Sequence, residues 1–532
     1  MRTTGMALVG FLAFAALIAP NTPAMAEPTG KIYVGDSWVE AETKSLITPA
    51  QNTFLGDLFG QAPSLSVSQL VKNFLRENAS ILNFDRETAW GIVQTIAGEE
   101  LETQRVNKTW RGLPVIGGDA VIHLSRGQLA FANADATALR HLATQARVRG
   151  EEAQAVAFAS YQGSALHATA PELKVLVNDF GRGKEARLVY EITVRDRNQF
   201  ASDIHYIDAL NAEELLVSTN VHTFNNRQVL AGNGEENDFA LEESTWKVVY
   251  SGTGCTTSPG QSTGPASPNR FARVSIKAPP TPCNVISPKV MASANAAWAN
   301  SGLVHEYFQT THRRNSIDDK GMALKSVVNF GGTGFPNAAW YNDKGLMLYG
   351  LGDETTFNDF ASPLDVAAHE ITHGVTSRTS NLAYVAESGA LNESYSDVFG
   401  KLVAFKNNRG TDWKLGRDLF KDGVRYIRDM EDPEIGHTRD FKHRGQQCSR
   451  INDFCGVHTN SGIPNRAAVL LAKRIGNDKL GKLYYLTLTQ LLRTNSTFKE
   501  AKAQTEAACA TLFGAGSQDC KAVTESFTAV GI

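Results

Sequence analysis

The chain has 532 residues, of which 42% are hydrophobic and 20% charged, with a net charge of −3. That length exceeds what a single core serves and predicts three or four domains, and the composition is that of an ordinary globular protein, not a disordered one. The near-neutral charge gives no basis for a nucleic-acid or anionic-membrane partner.

At the N-terminus Arg2 precedes an apolar run from Met6 to Ala19, and Ala24-Met25-Ala26 fits a small-residue cleavage site. Residues 1–26 therefore read as a signal peptide, and the remaining chain is expected to be secreted, extracellular and free of the membrane. The run is too short for a comfortable span, no later stretch approaches 18 apolar residues, and no Cys follows to carry a lipid. Six cysteines stand at 255, 283, 448, 455, 509 and 520. An even number in an exported chain favours disulfides, and nearest-neighbour pairing (Cys255–Cys283, Cys448–Cys455, Cys509–Cys520) is the simplest of the possible connectivities. A thiolate metal site is disfavoured because no C-x-x-C occurs.

Two mixed units follow, 27–145 and 146–220. In the first, Ser64–Asn78 predicts an amphipathic helix, and Thr103–Val106 and Ala120–His123 predict strands around a turn-rich link at Gly112–Gly118. In the second, a helix is expected over Glu152–Ala159 and strands over Leu173–Asn178, Ala186–Val194 and Ile204–Ile207. Neither contains a catalytic constellation. From about Ser218 to Ser267 the composition turns polar and Gly-rich, which suits a processing site, placed near residue 220 within 210–245.

A mixed lobe, 221–375, is predicted with a helix over Lys289–Thr310, alanines, Trp298 and Leu303 on its inner face, and strands at Leu324–Asn329 and Leu346–Tyr349. The last part, 376–532, reads as nearly all helical: Ala390–Phe405, Asn465–Ile475, Leu480–Leu492 and Phe498–Leu512, the last capped by Thr497 with Glu500. The whole is an α+β protein with a cleft between a β-rich lobe and a helical one.

At that junction stands His369-Glu370-Ile371-Thr372-His373. On a helix, positions i and i+4 share a face, so both imidazoles can ligate one metal, while Glu370 reaches a metal-activated water without ligating. This is the H-E-x-x-H pattern of zinc hydrolases. Ser362 is expected as the helix cap, with Pro363 in the first turn and Asp365 completing a capping box. A catalytic zinc needs a third protein ligand. Glu393, twenty residues past His373, is the best candidate, and Asp397, four residues further on the same face, is placed to take the second N–H of a ligating His.

With Glu387-Ser388-Gly389-Ala390-Leu391-Asn392-Glu393 and Asp397, the pentapeptide resembles the thermolysin-like neutral metallopeptidases over most of residues 285–475. Trp110-Arg111-Gly112-Leu113-Pro114-Val115-Ile116-Gly117-Gly118-Asp119 is similar to the signature of the first half of that family's propeptide. Residues 151 to about 217 resemble its second, PepSY-type half. The resemblance implies a propeptide acting as intramolecular chaperone and inhibitor, and a two-lobed peptidase. It implies zinc on His369, His373 and Glu393, Glu370 as general base, and Tyr384 and His458 as oxyanion donors, with Asp453 orienting His458. For protein or peptide substrates it implies an edge strand at Asn337 and Ala338, and Arg428 on the substrate carbonyl beyond the cut. Phe357, Phe360, Val366, Leu415 and Ile427 would line an apolar pocket for the residue after the scissile bond.

One feature departs from the family. Where many members bind calcium, Asp365 and Asp412 match, but Ala404, Lys414 and Arg417 replace acids. Cations there repel a divalent ion, so the calcium site is expected to be lost, with Lys414 or Arg417 bridging to Asp365 or Asp412. Two other readings stay open: a binding protein that keeps the fold without activity, and zinc hydrolysis of a bond other than a peptide. Retention of every catalytic residue argues against the first, and the Asn337 strand with Arg428 argues against the second.

Overall fold

The computed structural model describes residues 30–41, 66–98, 101–125, 128–159, 161, 166–179, 184–196, 201–223, 249–251, 254–256, 272–276, 288–331, 335–353 and 355–532. The signal peptide, the Cys255–Cys283 pair and the polar stretch over 224–248 lie outside the described residues or side chains. Among the described residues no helix is long and apolar enough to cross a membrane.

The N-terminal part carries β1 (Lys31–Val34), β2 (Ser37–Glu40), α1 (Val67–Glu77), β3 (Thr88–Ala97), β4 (Glu102–Trp110), β5 (Leu113–Ile116), β6 (Ala120–Ser125) and β7 (Gln128–Ala134). It continues with α2 (Gly150–Ala159), β8 (Leu166–Ala168), β9 (Glu172–Asp179), β10 (Lys184–Asp196), β11 (Ala201–Asp208) and β12 (Glu214–Thr219). α1 is shorter than expected because Ser66 caps it: its hydroxyl accepts from the Gln69 amide while the Gln69 side chain accepts from the Ser66 amide. Leu70, Val71, Phe74 and Leu75 give it one apolar face, buried against Ile122 and Leu124 of the sheet.

All twelve strands form one sheet, ordered β12-β11-β10-β9-β5-β4-β6-β7-β1-β2, with β3 on β4 and β8 on β10. The sequence reads Gly112–Gly118 as a link, but its centre is β5, which pairs in parallel with β9 through Val115↔Val175 and Ile116↔Leu176 and joins the two units. At Asn220 the chain leaves this sheet for another.

That second sheet is five-stranded, ordered β13 (Val221–Thr223), β18 (Ala338–Tyr341), β19 (Leu346–Tyr349), β17 (Leu324–Val328) and β16 (Ala272–Ile276), with β14 (Val249–Ser251) and β15 (Gly254–Thr256) as a separate hairpin. On it pack α3 (Pro288–His312) and α4 (Leu364–Ser377). Trp298 and Leu303 are only partly buried; the inner face of α3 runs through Val290, Ala294, Ala297, Val304 and Phe308, the spacing of one helical stripe. The helical lobe contains α5 (Ala386–Lys406), the short pair β20 (Lys414–Leu415) and β21 (Arg428–Asp429), then α6 (Asp453–Asn460), α7 (Gly462–Ile475), α8 (Asn477–Leu486), α9 (Phe498–Phe513) and α10 (Gln518–Ala529). The helix expected over 480–492 stops at Leu486 and continues as a π-turn, Thr487–Leu491. Thr497 caps α9 by accepting from the Glu500 amide, as expected. Disulfides Cys448–Cys455 and Cys509–Cys520 form.

α4 is buried along nearly its whole length because the sheet covers one side and α5 the other. The two helices approach closely at Gly400, where a Cβ would stand 2.7 Å from the Asp365 carbonyl oxygen. The expected capping box is not made. Pro363 is the N-cap without a side-chain bond, Ser362 donates to Asp359, and the Asp365 carboxylate is drawn outward by the Gly416 amide and Lys401.

Candidate metal centre

The facing sides of α4 and α5 bring His369, His373 and Glu393 together, with ligand atoms all within 4.8 Å of one another. His369 and His373 leave one face of α4, and their Nε2 atoms are 2.9 Å apart. Glu393 lies 3.3 Å from His373 Nε2 and 3.6 Å from His369 Nε2. All three side chains are fully buried. Their outer nitrogens are engaged: His369 Nδ1 is 2.9 Å from Asp397 Oδ1, and His373 Nδ1 is 2.8 Å from Asn392 Oδ1 and 3.1 Å from Ser396 Oγ. Acceptors at Nδ1 call for the proton there, which leaves both Nε2 lone pairs directed at the Glu393 carboxylate.

Two lone pairs and a carboxylate that close repel unless a cation lies among them. A proton is a poor one, because burial pushes His369 down to about 4 even with Glu393 and Asp397 nearby. A divalent metal suits the donor set, two neutral imidazoles and one carboxylate, with a position left for substrate. Glu370 adds to the demand. Both its oxygens are buried without a hydrogen bond of ordinary geometry, and burial, then Glu393, raises its carboxyl well above the usual range. Arg428 and the Trp340 backbone N–H offset only part of that.

On the other side, the Tyr384 hydroxyl donates to Glu393 and lies 3.2 Å from His458 Nε2. His458 Nδ1 is 2.7 Å from Asp453 Oδ1, and the His458 amide donates to Asp453 Oδ2 at 3.0 Å. Burial alone would lower His458, but Asp453 and then Glu393 outweigh it and push the imidazole up to about 9. The backbone that makes this reach is strained: Asp453, Phe454, Cys455 and Gly456 have φ of 55°, 49°, 69° and 74°. Each non-glycine in that region costs about 1–2 kcal/mol. The Cys448–Cys455 bridge closes the loop around the turn.

Arg428 donates through Nε and Nη2 to Asp397 at 2.8 and 2.6 Å, and Asn465 donates to the same carboxylate at 2.8 Å. Asp397 thus holds His369 while itself held by two donors. Asn337 precedes β18 and Ala338 opens it; the Asn337 side chain is fully buried and accepts from the Ala338 amide. Phe357, Phe360, Val366 and Leu415 are buried in the main core with Ile427 packed beside them. Among the contacts, sequence reasoning passed over Asn392, although it directly precedes Glu393, and Asn465, which carries no local signal.

The opposite end of the α4–α5 pair holds the remaining acids. Arg417 bridges to Asp412 at 2.6 Å, one of the expected pairs, whereas Lys414 turns to Asp429 at 2.8 Å. Asp365 is met instead by Lys401, whose buried Nζ is 3.5 Å from Oδ2 and donates to the Lys414 carbonyl at 2.9 Å.

The N-terminal sheet closes over the metal centre. Leu176, Val189, Tyr206, Leu216 and Val217 share one apolar cluster with Tyr384, Val385, Phe454, Val457 and the Cys448–Cys455 pair. Arg450, next to the loop of Asp453, donates to Asp203 at 2.8 and 3.2 Å. The first unit grips the π-turn: Arg105 donates to the Leu492 and Thr489 carbonyls, and Arg493 bonds both Asn133 and Glu500.

Comparison with known proteins places the chain among metallopeptidases. Residues 218–377 match the family described as thermolysin metallopeptidase, catalytic domain, and residues 380–532 match thermolysin metallopeptidase, alpha-helical domain. Thermolysin of Bacillus sp. (strain EA1) is 31% identical over 471 residues, covering 80% of this chain and 83% of that protein. Bacillolysin of Bacillus cereus is 42% identical over 261 residues, covering 47% of this chain and 45% of that protein. A solved precursor of protealysin, a metalloproteinase from Serratia proteamaculans, is 28% identical with a TM-score of 0.42, covering 50% of this chain and 85% of that one.

Proposed function

As the chain belongs to the thermolysin metallopeptidase family, we propose that it is a secreted zinc endopeptidase made as a self-processing precursor. The observation that carries this reading is the buried His369, His373 and Glu393 set beside the unsatisfied carboxylate of Glu370. Zinc bound there would supply a Lewis acid for the scissile carbonyl and make water more acidic. Glu370 then takes the proton of the attacking water and returns it to the leaving amine. Tyr384 and His458 donate to the carbonyl oxygen as it gains charge, each such donor contributing about 3 kcal/mol. Asp453 keeps His458 protonated and aimed.

Substrate would lie extended along β18, using Asn337 and the Ala338 backbone. Arg428 orients Asp397 and, near the cut, the substrate carbonyl; the apolar cluster around Phe357 favours Leu, Phe or similar residues after the scissile bond. Residues 27–145 and 146–220 act as the propeptide, chaperone and inhibitor of the lobes 221–375 and 376–532. The shared apolar cluster over Tyr384 and the grip on the π-turn support that role. The family's calcium site is replaced by the chain's own cations.

Intact mass over time decides between an active peptidase and an inert relative. Wild type should shorten to a fragment beginning near residue 220, and Glu370→Gln should stay full-length while still binding one zinc. Equal shortening of both would assign the cut to another protease. A zinc-bound wild type that cuts neither itself nor casein would leave the binding-protein reading.

A further inference from the structure

β13 is three residues long, yet it occupies the edge of β18 along which a substrate would extend. It pairs antiparallel, Val221↔Tyr341, His222↔Trp340 and Thr223↔Ala339. The junction is anchored from both sides: the Asn220 amide donates to the Ser202 carbonyl, the Asn342 amide to the Asn220 carbonyl, and Arg195 and Ser202 both bond Asp343. In an antiparallel pair, facing side chains share one side of the sheet, so His222 follows Trp340 toward α4. Its ring lies flat on Tyr384, with centroids 4.2 Å apart and planes 7° from parallel, and meets the edge of His373 at 5.0 Å. His222 is 5% exposed.

We propose that Val221–Thr223 is a built-in substrate mimic, and that Tyr384 with His373 forms a seat for a flat ring, so that the site selects peptides with His or an aromatic residue at the matching position near the cut. This rests on the peptidase reading above and adds the substrate class to it. A ring on the face of Tyr384 gains stacking that an aliphatic chain of similar size does not. The same contact fixes the register of the strand on β18, because a slip of one residue would turn His222 away from Tyr384.

The test uses the full chain, purified with metal chelated and started by adding zinc, with intact mass followed over time. Wild type should convert with a rate independent of protein concentration. His222→Ala should convert about tenfold more slowly, the factor that about 1.4 kcal/mol carries, and His222→Phe should stay within about twofold of wild type. The converted wild type should then cleave a twelve-residue peptide of residues 217–228 about tenfold more efficiently than the same peptide with Ala for His222. The seat is overturned if His222→Ala converts like wild type, if His222→Phe is as slow as His222→Ala, or if the two peptides are cut alike. Conversion of wild type but not of Glu370→Gln keeps the peptidase reading whatever the His222 variants do. A wild type that cuts neither itself, the peptide nor casein overturns both.

Discussion

The two ends of the α4–α5 pair pose the same electrostatic problem and answer it differently. At one end Glu370, Glu393 and Asp397 are buried together, with Arg428 and a protonated His458 as the nearby cations. His369 and His373 turn ring nitrogens, not ammonium groups, toward Glu393, a donor set that suits a metal. At the other end Asp365 and Asp412 are answered by Lys401 and Arg417, tethered cations that arrive with the fold. Burial raises the Asp365 carboxyl, and Lys401 and the Gly416 amide pull it back. A carboxylate cluster on a helix pair therefore does not by itself mean a metal site; what decides is whether lone-pair donors or ammonium groups fill the remaining positions.

Metal removal should separate the ends most widely. Chelation is expected to abolish peptide hydrolysis and to lower the melting temperature, since a zinc concentration a thousandfold above Kd contributes about 4 kcal/mol. Zinc should restore both activity and melting temperature, and calcium neither. A large calcium-dependent rise in melting temperature, after zinc has been restored, would break the contrast.

Lys401→Met should cost about 3 kcal/mol, the range for leaving a buried charge without its partner. It should leave KM for peptides unchanged, because among the described residues Lys401 meets the Asp365 corner, the Lys414 carbonyl and the Phe405 ring, all away from the metal end. Denaturant unfolding in both zinc and chelator checks this: the loss should be the same with and without zinc. A loss seen only with zinc would mean the two ends are coupled through the helices.

At the metal end, Asp453→Asn tests how His458 keeps its charge. A histidine raised to about 9 is protonated at neutral pH and loses its proton as pH rises through that value, so activity should fall on the alkaline side. Removing the carboxylate should move that limb at least about one unit toward neutral and cut kcat about tenfold at pH 8, with KM little changed. A pH–rate profile whose alkaline limb stays in place would remove His458 from the role given to it.

What the sequence made legible follows the range of the interactions. The cluster is legible because helical period alone puts His369 and His373 on one face, and the return of one helix on another brings Glu393 and Asp397 to them. The local capping rule fails at the start of α4 because Asp365 is held by Gly416, fifty-one residues away, a competitor outside the rule's range. β5 reads as a link in sequence because Pro114 and the flanking glycines signal turns, while its partner β9 lies sixty residues on. Lys401 sits in a helix whose sequence shows no reason for a buried ammonium, and only the approach of Asp365 at Gly400 supplies one. His222 is the extreme case: its neighbours are fixed by a sheet edge and a tyrosine more than a hundred residues away.

The smallest effect is expected at Arg417, and it sharpens the contrast by dividing the cation-filled end itself. Arg417 and Asp412 are 37% and 42% exposed, so water screens their 2.6 Å contact, and Arg417→Ala should cost less than about 1 kcal/mol. Lys401 is 4% exposed at its side chain and faces a carboxylate that water cannot reach as easily. Salt should make the same division. Raising ionic strength to about 1 M shortens the screening length to about 3 Å, which should erase the Arg417→Ala effect and leave most of the Lys401→Met effect. If both fade alike, the Lys401–Asp365 contact behaves as a surface ion pair, and burial is not what sets it apart from Arg417–Asp412.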